Sequence, residues 1–405
     1  MYAGGYFSSP GNNIIQWNDI TWKNLGSGIN GRVCAIGIYK DTVYMGGYFS
    51  SAGGHSAGCV TKWDGTSFAN AGFDVEGGLG QVNVIQAYNN LLYIGGEFDS
   101  VNHKRPSGLV TWNGNKVDSL HIAYGGDWNN VCALSIYKNE LLMGFGPLYY
   151  GTFGQPIVGW NNKGFSYPGN GYFYTSSNNS PIYMTHFCLI DTEFYVGGSF
   201  LYFEDQNLSR PIKDTVNNIA MWNGKEWSGL GKGINGTVYA LVSYHNLIVA
   251  GGSFDSASGI PVNNVAAWNG VSWEPLGNGL NGTVYTLAVF DSNLYAGGNF
   301  SSPGNGIAKF NPTLRIPSPI INNDSINIFP NPNNGQFTIV CNRAITTNNQ
   351  PILEIYNNLG QKIYSANLTD SNNLIDIGKQ AKGIYIYKIT SSGTNLINPG
   401  KFVID

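Results

Sequence analysis

Tyr295-Ala-Gly-Gly-Asn-Phe300 is one of six near-identical strings in a chain of 405 residues. The others are YAGGYF (Tyr2 to Phe7), YMGGYF (Tyr44 to Phe49), YIGGEF (Tyr93 to Phe98), YVGGSF (Tyr195 to Phe200) and VAGGSF (Val249 to Phe254). MGFGPL (Met143 to Leu148) is a damaged seventh copy. The doublets begin at Gly4, Gly46, Gly95, Gly144, Gly197, Gly251 and Gly297, so a fixed unit alternates with loops of varying length. Self-similarity at a period near 50 residues is the mark of a repeat architecture.

The unit from Val238 to Gly279 reads as four extended segments. VYALVSY (Val238 to Tyr244) alternates in polarity as a strand does. LIVAGGSF (Leu247 to Phe254) is a second strand. Glycine weakens a strand interior, so its doublet predicts a bend or the close approach of another backbone. VAAWNG (Val265 to Gly270) is the third, with Asn269-Gly270 as a hairpin signal. Trp273 to Leu276 is the fourth.

Four antiparallel strands per unit, arranged around an axis, make a propeller blade. A stacked solenoid is the alternative, but its rungs are usually shorter than this period. The second-strand motif occurs seven times. So does the third strand, at Trp17, Trp63, Trp112, Trp160, Trp222, Trp268 and Phe310. The first strand occurs six times, near Val33, Val82, Val131, Ile182, Val238 and Val284. The expectation is an all-β β-propeller of about seven four-stranded blades, with the first and last blades each short of a strand. Six blades and a leftover piece is the alternative.

Composition agrees. Charged residues are 11% of the chain, aromatics 14%, and there are 55 glycines. That mixture suits many short strands and tight turns. The formal net charge is −3 and no basic block occurs, which argues against nucleic-acid binding. No run of 18 apolar residues is present, so no helical membrane span is expected. The five cysteines, Cys34, Cys59, Cys132, Cys188 and Cys341, are too scattered for a disulfide framework or a zinc site. Cys34 and Cys132 hold the repeat position of Tyr239 and Tyr285, and the expectation is that both are small buried hydrophobes. The histidines His55, His103, His121, His186 and His245 show no metal spacing. No cofactor and no metal are expected.

The glycine-doublet strand, the Trp-Asn-Gly turn and the Trp that follows resemble kelch-like and galactose-oxidase-like propellers over residues 1–311. That resemblance implies a fold and little about function, since such propellers host enzymes, lectins and scaffolds. The Tyr and His copper site of galactose oxidase has no counterpart here.

Residues 312–325 hold prolines without periodicity and read as a linker. From residue 326 to 405 short alternating strands are separated by Asn, Gly and Pro turns, the pattern of a small Ig-like β-sandwich. Pro330-Asn331-Pro332 with Gly335, Leu359-Gly360-Gln361, Gly383-Ile384-Tyr385 and Lys401-Phe402-Val403 resemble the type A C-terminal sorting domain of the type IX secretion system of Bacteroidetes. The resemblance implies that the translocon of that system is a partner. It also implies that the chain is secreted or attached to the outer-membrane surface, with the tail usually cleaved. Such export needs a signal peptide. None is visible, and Met1 opens directly onto a repeat core, so a missing N-terminal portion is expected.

Antiparallel order places the short loops on one propeller face, and the long loops between second and third strands and between blades on the other. The long-loop face is the expected binding surface. Three features break the repeat there: Asp127-Trp128, the insertion carrying Glu204, Asp205 and Arg210, and His103-Lys104-Arg105. Tyr149 and Tyr150 open an irregular, aromatic-rich fourth blade. Aromatic faces beside carboxylates and amides grip sugars, while packing in a decayed blade is the plainer explanation. Two carboxylates among Asp99, Asp127, Glu204 and Asp205 would suit a glycosidase. The expected role is therefore a non-enzymatic binding or adhesion module, for a glycan or protein ligand, acting as a monomer. A polysaccharide hydrolase or lyase is the alternative, and a passive spacer a third reading.

Overall fold

The computed structural model describes the chain except residues 10, 19, 77–79, 104–107, 121–129, 147–156, 162–163, 170, 175–182, 191–192, 206–212, 246, 311–326, 330–332, 341–351, 358–360, 370–371, 379, 392–393 and 405. Its described elements are all strands, and the chain divides into two compact units, Met1–Ile316 and Pro317–Asp405.

Seven antiparallel sheets that carry the repeat follow one another in the first unit, a β-propeller-type array, with smaller two- and three-stranded sheets in the loops. Sheet 1 is three-stranded (Tyr2–Gly4, Ile14–Trp17, Trp22–Asn24) and begins with the second strand of the repeat. Sheet 2 has four strands (Arg32–Tyr39, Thr42–Tyr48, Val60–Trp63, Phe68–Asn70), as does sheet 3 (Gln81–Tyr88, Leu91–Glu97, Leu109–Trp112, Val117–Ser119). Sheet 4 is Val131–Tyr137, Glu140–Phe145, Ile157–Trp160 and Phe165–Ser166, and sheet 5 is Tyr183–Ile190, Glu193–Ser199, Ile219–Trp222 and Trp227–Gly229. Sheet 6 is Thr237–Tyr244, Leu247–Ser253, Val265–Trp268 and Trp273–Pro275. Sheet 7 shows three described strands, Thr283–Phe290, Asn293–Asn299 and Ile307–Phe310. Within each sheet strands pair in chain order, so each unit is a meander. From sheet 2 on, the first strands of successive sheets pack on one another, and each also packs on the second strand of the sheet before it; in sheet 1 the second strand packs on the first strand of sheet 2.

The glycine doublet explains this packing. An added methyl on the first glycine would meet the leading Val of the next sheet: Gly4 meets Val33 at 2.5 Å, Gly46 meets Val82 at 2.4 Å, Gly95 meets Val131 at 2.7 Å, Gly197 meets Val238 at 2.6 Å and Gly251 meets Val284 at 2.5 Å. Each glycine is thus a notch for a β-branched side chain, and these valines are at most 4% exposed. The second glycine lies against its own sheet instead. A methyl on Gly47, Gly96, Gly252 or Gly298 would sit 2.0–2.1 Å from the carbonyl oxygen of residue 32, 81, 237 or 283, at the head of the first strand. There every first strand of sheets 2 to 7 carries a β-bulge, at residues 34, 83, 132, 185, 239 and 285.

The turns obey the same local chemistry. Lys40-Asp41, Asn89-Asn90, Lys138-Asn139 and Asp291-Ser292 all have positive φ at both residues, the two-residue hairpin that matches strand twist. In the next hairpin Asn269 Oδ1 accepts from the backbone N–H of Val271 and Ser272, both at 2.9 Å. On the opposite, long-loop end, Asn13, Asn218 and Asn264 form a recurrent clamp. Asn218 Oδ1 accepts from Phe200 N (3.0 Å) while its Nδ2 donates to Ile234 O (2.8 Å). Asn13 and Asn264 repeat both bonds with Phe7 and Ile29, and with Phe254 and Leu280.

The second unit holds a three-stranded sheet (Asn327–Phe329, Gln336–Val340, Asn372–Asp376) and a four-stranded one (Ile352–Tyr356, Lys362–Asn367, Gly383–Ser391, Thr394–Ile404). Phe337, Ile339, Leu353, Ile355, Tyr385, Tyr387, Ile389 and Phe402 are buried between them.

Candidate functional site

The bulges lie on the innermost strands at the long-loop end. A bulge breaks alternation, so its side chain leaves the core between sheets. This corrects the expectation for two cysteines. Cys34 is exposed and Cys132 half-buried; both are bulge residues, not core hydrophobes.

Around them runs a belt of side-chain hydrogen bonds joining sheets 2, 3 and 4. Gln81 Nε2 donates to Asn83 Oδ1 at 2.6 Å and to Cys34 Sγ at 3.7 Å. Asn83 Nδ2 donates to Asn130 Oδ1 at 2.7 Å, and Asn130 Nδ2 donates to Glu97 Oε2 at 3.1 Å. The Cys132 thiol donates to the same Asn130 oxygen at 3.3 Å. Burial, with the nearby Glu97 carboxylate, pushes the Cys132 thiol up to about 12. A neutral thiol at pH 7 is a poor nucleophile and a poor metal ligand; here Cys132 acts as a weak donor and Cys34 Sγ as an acceptor from Gln81.

In sheets 6 and 7 the same bulge position carries Tyr239 and Tyr285, with ring centroids 5.5 Å apart at 56°. Tyr285 is 56% exposed, and Tyr48, the counterpart of Glu97 at the end of a second strand, is 61% exposed. One register of the array therefore presents amides, a carboxylate and tyrosine faces. Such a surface can stack on apolar C–H faces and exchange hydrogen bonds with hydroxyls. Gln81, Asn83, Glu97 and Asn130 were not singled out by sequence reasoning. Alignment of the repeats on the glycine doublet would have placed them beside Cys34, Cys132 and Tyr239.

The sequence-predicted residues are placed unevenly. His103 is exposed in a turn at positive φ. Lys104, Arg105, Asp127, Trp128, Tyr149, Tyr150 and Arg210 lie outside the described residues. Two features that the sequence kept apart come together: Gly171–Tyr174 of the aromatic region pairs with Tyr202–Asp205 of the insertion, which pairs in turn with Lys213–Thr215. In that small sheet Tyr172 is opposite the half-buried Glu204, and Gly171 is opposite Asp205. Phe173 and Phe203, each 3% exposed, pack with Phe200 and Trp227, so these aromatics are core. Asp99 is exposed in the loop after its strand. Among the described residues no group of three metal-ligating side chains converges.

In the second unit Pro330, Asn331, Pro332, Leu359 and Gly360 lie outside the described residues. Gly335 does not. It has φ of 93°, and a methyl there would sit 2.4 Å from Gly378 Cα. Asn333 Oδ1 accepts from Gly335 N at 2.8 Å, and Asn333 N donates to Val403 O at 3.0 Å. Tyr385 stacks on Phe402 with centroids 5.7 Å apart and donates to Ala381 O. Lys401 belongs to the last strand, and the exposed Gly383 begins the strand carrying Tyr385. Residues 327–405 match the secretion system C-terminal sorting domain. This sorting domain marks the chain for type IX secretion to the cell surface or beyond. No helix among the described residues is long and apolar enough to cross a membrane.

The structure is similar to the extracellular domain of BT4673 from B. thetaiotaomicron, at 13% identity and a TM-score of 0.46, covering 84% of this chain and 42% of that one. YCF48 bound to D1 peptide aligns at 12% identity and a TM-score of 0.46, over 76% of this chain and 87% of that one. YCF48 from Cyanidioschyzon merolae aligns at 11% identity and a TM-score of 0.34, over 69% and 95%. The chain thus spans less than half the length of the BT4673 domain. No curated protein matches it.

Proposed function

We propose that the array is a non-enzymatic binding module displayed outside the cell, and that it takes a carbohydrate at the inner mouth of its long-loop face. In this reading the sheets are kelch-like blades. The tail is a type A sorting domain of the Bacteroidetes exporter, and the translocon of that system is its partner. The observation that carries the ligand class is the belt Gln81–Asn83–Asn130–Glu97, set in the same register as Tyr239 and Tyr285. Amides and a carboxylate match sugar hydroxyls; tyrosine rings match the C–H faces.

The test is a glycan array with the whole chain, followed by calorimetry on any hit. Asn83→Ala and Tyr285→Ala should each weaken binding about tenfold or more, the loss expected for about 1.4 kcal/mol of contact energy. Their melting temperatures report whether folding is intact. Failure to retain any glycan from a broad panel, or full affinity in both variants, overturns the proposal.

A further inference from the structure

The two outward faces of the second unit differ. In a sandwich of two sheets, inward apolar positions alternate with outward polar ones. The three-stranded sheet keeps that rule. Its described outward side chains are Gln336, Thr338, Asp376 and one large apolar residue, the exposed Leu374. Gln336 Nε2 donates to Asp376 Oδ2 at 2.9 Å. The four-stranded sheet breaks the rule. Tyr385, Tyr387 and Ile389 are buried in the core, while Ile384 and Ile386, which alternate with them, are 56% and 49% exposed. On the neighbouring strand Leu353 and Ile355 are buried, and Ile352 is 42% exposed.

Strand register assembles these positions into rows. Ile384 is opposite the half-buried Val403. Ile386 stands between Tyr356 on one neighbouring strand and Lys401 on the other. The next row pairs Glu354 with Lys388, and Ile352 lies beyond it. Glu354 is already engaged: its Oε1 accepts from Lys362 Nζ and its Oε2 from the Tyr356 hydroxyl, both at 2.9 Å. An apolar strip of Val403, Ile384, Ile386 and Tyr356 is thus bordered by Lys362, Lys388 and, by register, Lys401, against the single carboxylate of Glu354. Exposed apolar patches with a polar rim mark protein–protein contacts. The excess of lysine gives this one a sign. It fits an apolar protein surface rimmed by carboxylates, and it disfavours a second copy of the same face, which would set lysine against lysine.

We propose that the outer face of this four-stranded sheet is the surface by which the secretion machinery holds the sorting domain, through an apolar surface of its own that carries acidic residues. The inference rests on the reading that the exporter is the partner, and adds which face is held and by what chemistry. Tyr385, stacked on Phe402 and bonded to Ala381 O, fixes the strand from behind, so Ile384 and Ile386 are presented at a set spacing. The isoleucines supply the anchor. The lysines steer the encounter and reject partners of like charge.

The test expresses the whole chain, led by an inner-membrane signal peptide, in a cell that carries the exporter, and measures the exported and periplasmic fractions. Ile384→Thr with Ile386→Thr keeps β-branched, strand-forming side chains, so the domain should stay folded, as the melting temperature of the purified chain reports. Its exported fraction should fall about tenfold or more, the loss expected when the anchor of a docking surface is removed, with the chain held in the periplasm. Lys362→Glu with Lys388→Glu should do the same. Leu374→Thr, on the opposite sheet, should be exported as wild type is. Wild type retained in the periplasm overturns the sorting reading and this proposal together. Export of wild type and of both double variants alike overturns the proposed face alone, as does an equal loss in Leu374→Thr. Self-association of the purified chain, or its sedimentation with anionic lipid vesicles, that disappears in the isoleucine variant gives the face to a second copy or to a membrane and overturns the proposal as well.

Discussion

A methyl group on Gly251 would stand 2.5 Å from Val284 Cγ1, well inside contact distance. Gly251→Ala should therefore destabilise the array by about 1–3 kcal/mol, the usual range for overpacking a filled core. Combining it with Val284→Ala should return part of that loss, because the clash and the notch are the same contact. Urea denaturation of the single and double variants measures both. His186 makes a second prediction at this scale. It stands at the register of Ala35, Ala133 and Ala240, and burial pulls its imidazole down from 6.5 to about 4. The unfolded chain then binds a proton that the folded chain refuses between these values, so stability is lost as pH falls from about 6.5 towards 4. The slope is at most about 1.4 kcal/mol per pH unit, less to the extent that water reaches the half-buried ring. Melting temperatures of wild type and His186→Ala across that window should converge as pH falls. Parallel curves would show that the ring takes up its proton in the folded state.

Among elements, the clamp at Asn218 ties three segments with one side chain. Asn218 is 6% exposed and has φ of 68°. Asn218→Ala leaves Phe200 N and Ile234 O without partners and places alanine in a left-handed conformation, a loss of about 2–4 kcal/mol. Asn218→Asp keeps the acceptor but not the donor and should fall between, as read by thermal or urea unfolding. Strands and hairpins were legible because their signals are local. Alternation in Val238 to Tyr244 and the Asn269-Gly270 pair need no knowledge of the rest of the chain. The bulge was not legible. One extra residue reverses alternation, which is why Cys34 and Cys132 read as core hydrophobes. The belt was hidden for a further reason: Asn83 and Asn130 are 47 residues apart, and only the stacking of sheets 3 and 4 joins them. The aromatic region and the Glu204 insertion likewise meet only through pairing of distant strands.

For the whole molecule, the sorting domain and the array are separate compact units, so each should tolerate loss of the other. A chain ending at residue 316 should retain the unfolding transition of the array within about 1 °C while failing to reach the cell exterior. Calorimetry and fractionation of an expressing cell check the two halves of that statement; a large fall in melting temperature would make the tail part of the fold. A further consequence follows from the glycine notches. Sheets 1, 2, 3, 5 and 6 each receive one valine from their successor, so cohesion at these steps runs between neighbours and in the same sense. A queue of this kind erodes from its extremities, as nearest-neighbour stacks do. Backbone amides of sheets 1 and 7 should accordingly exchange with deuterium soonest, and those at the heart of the queue last.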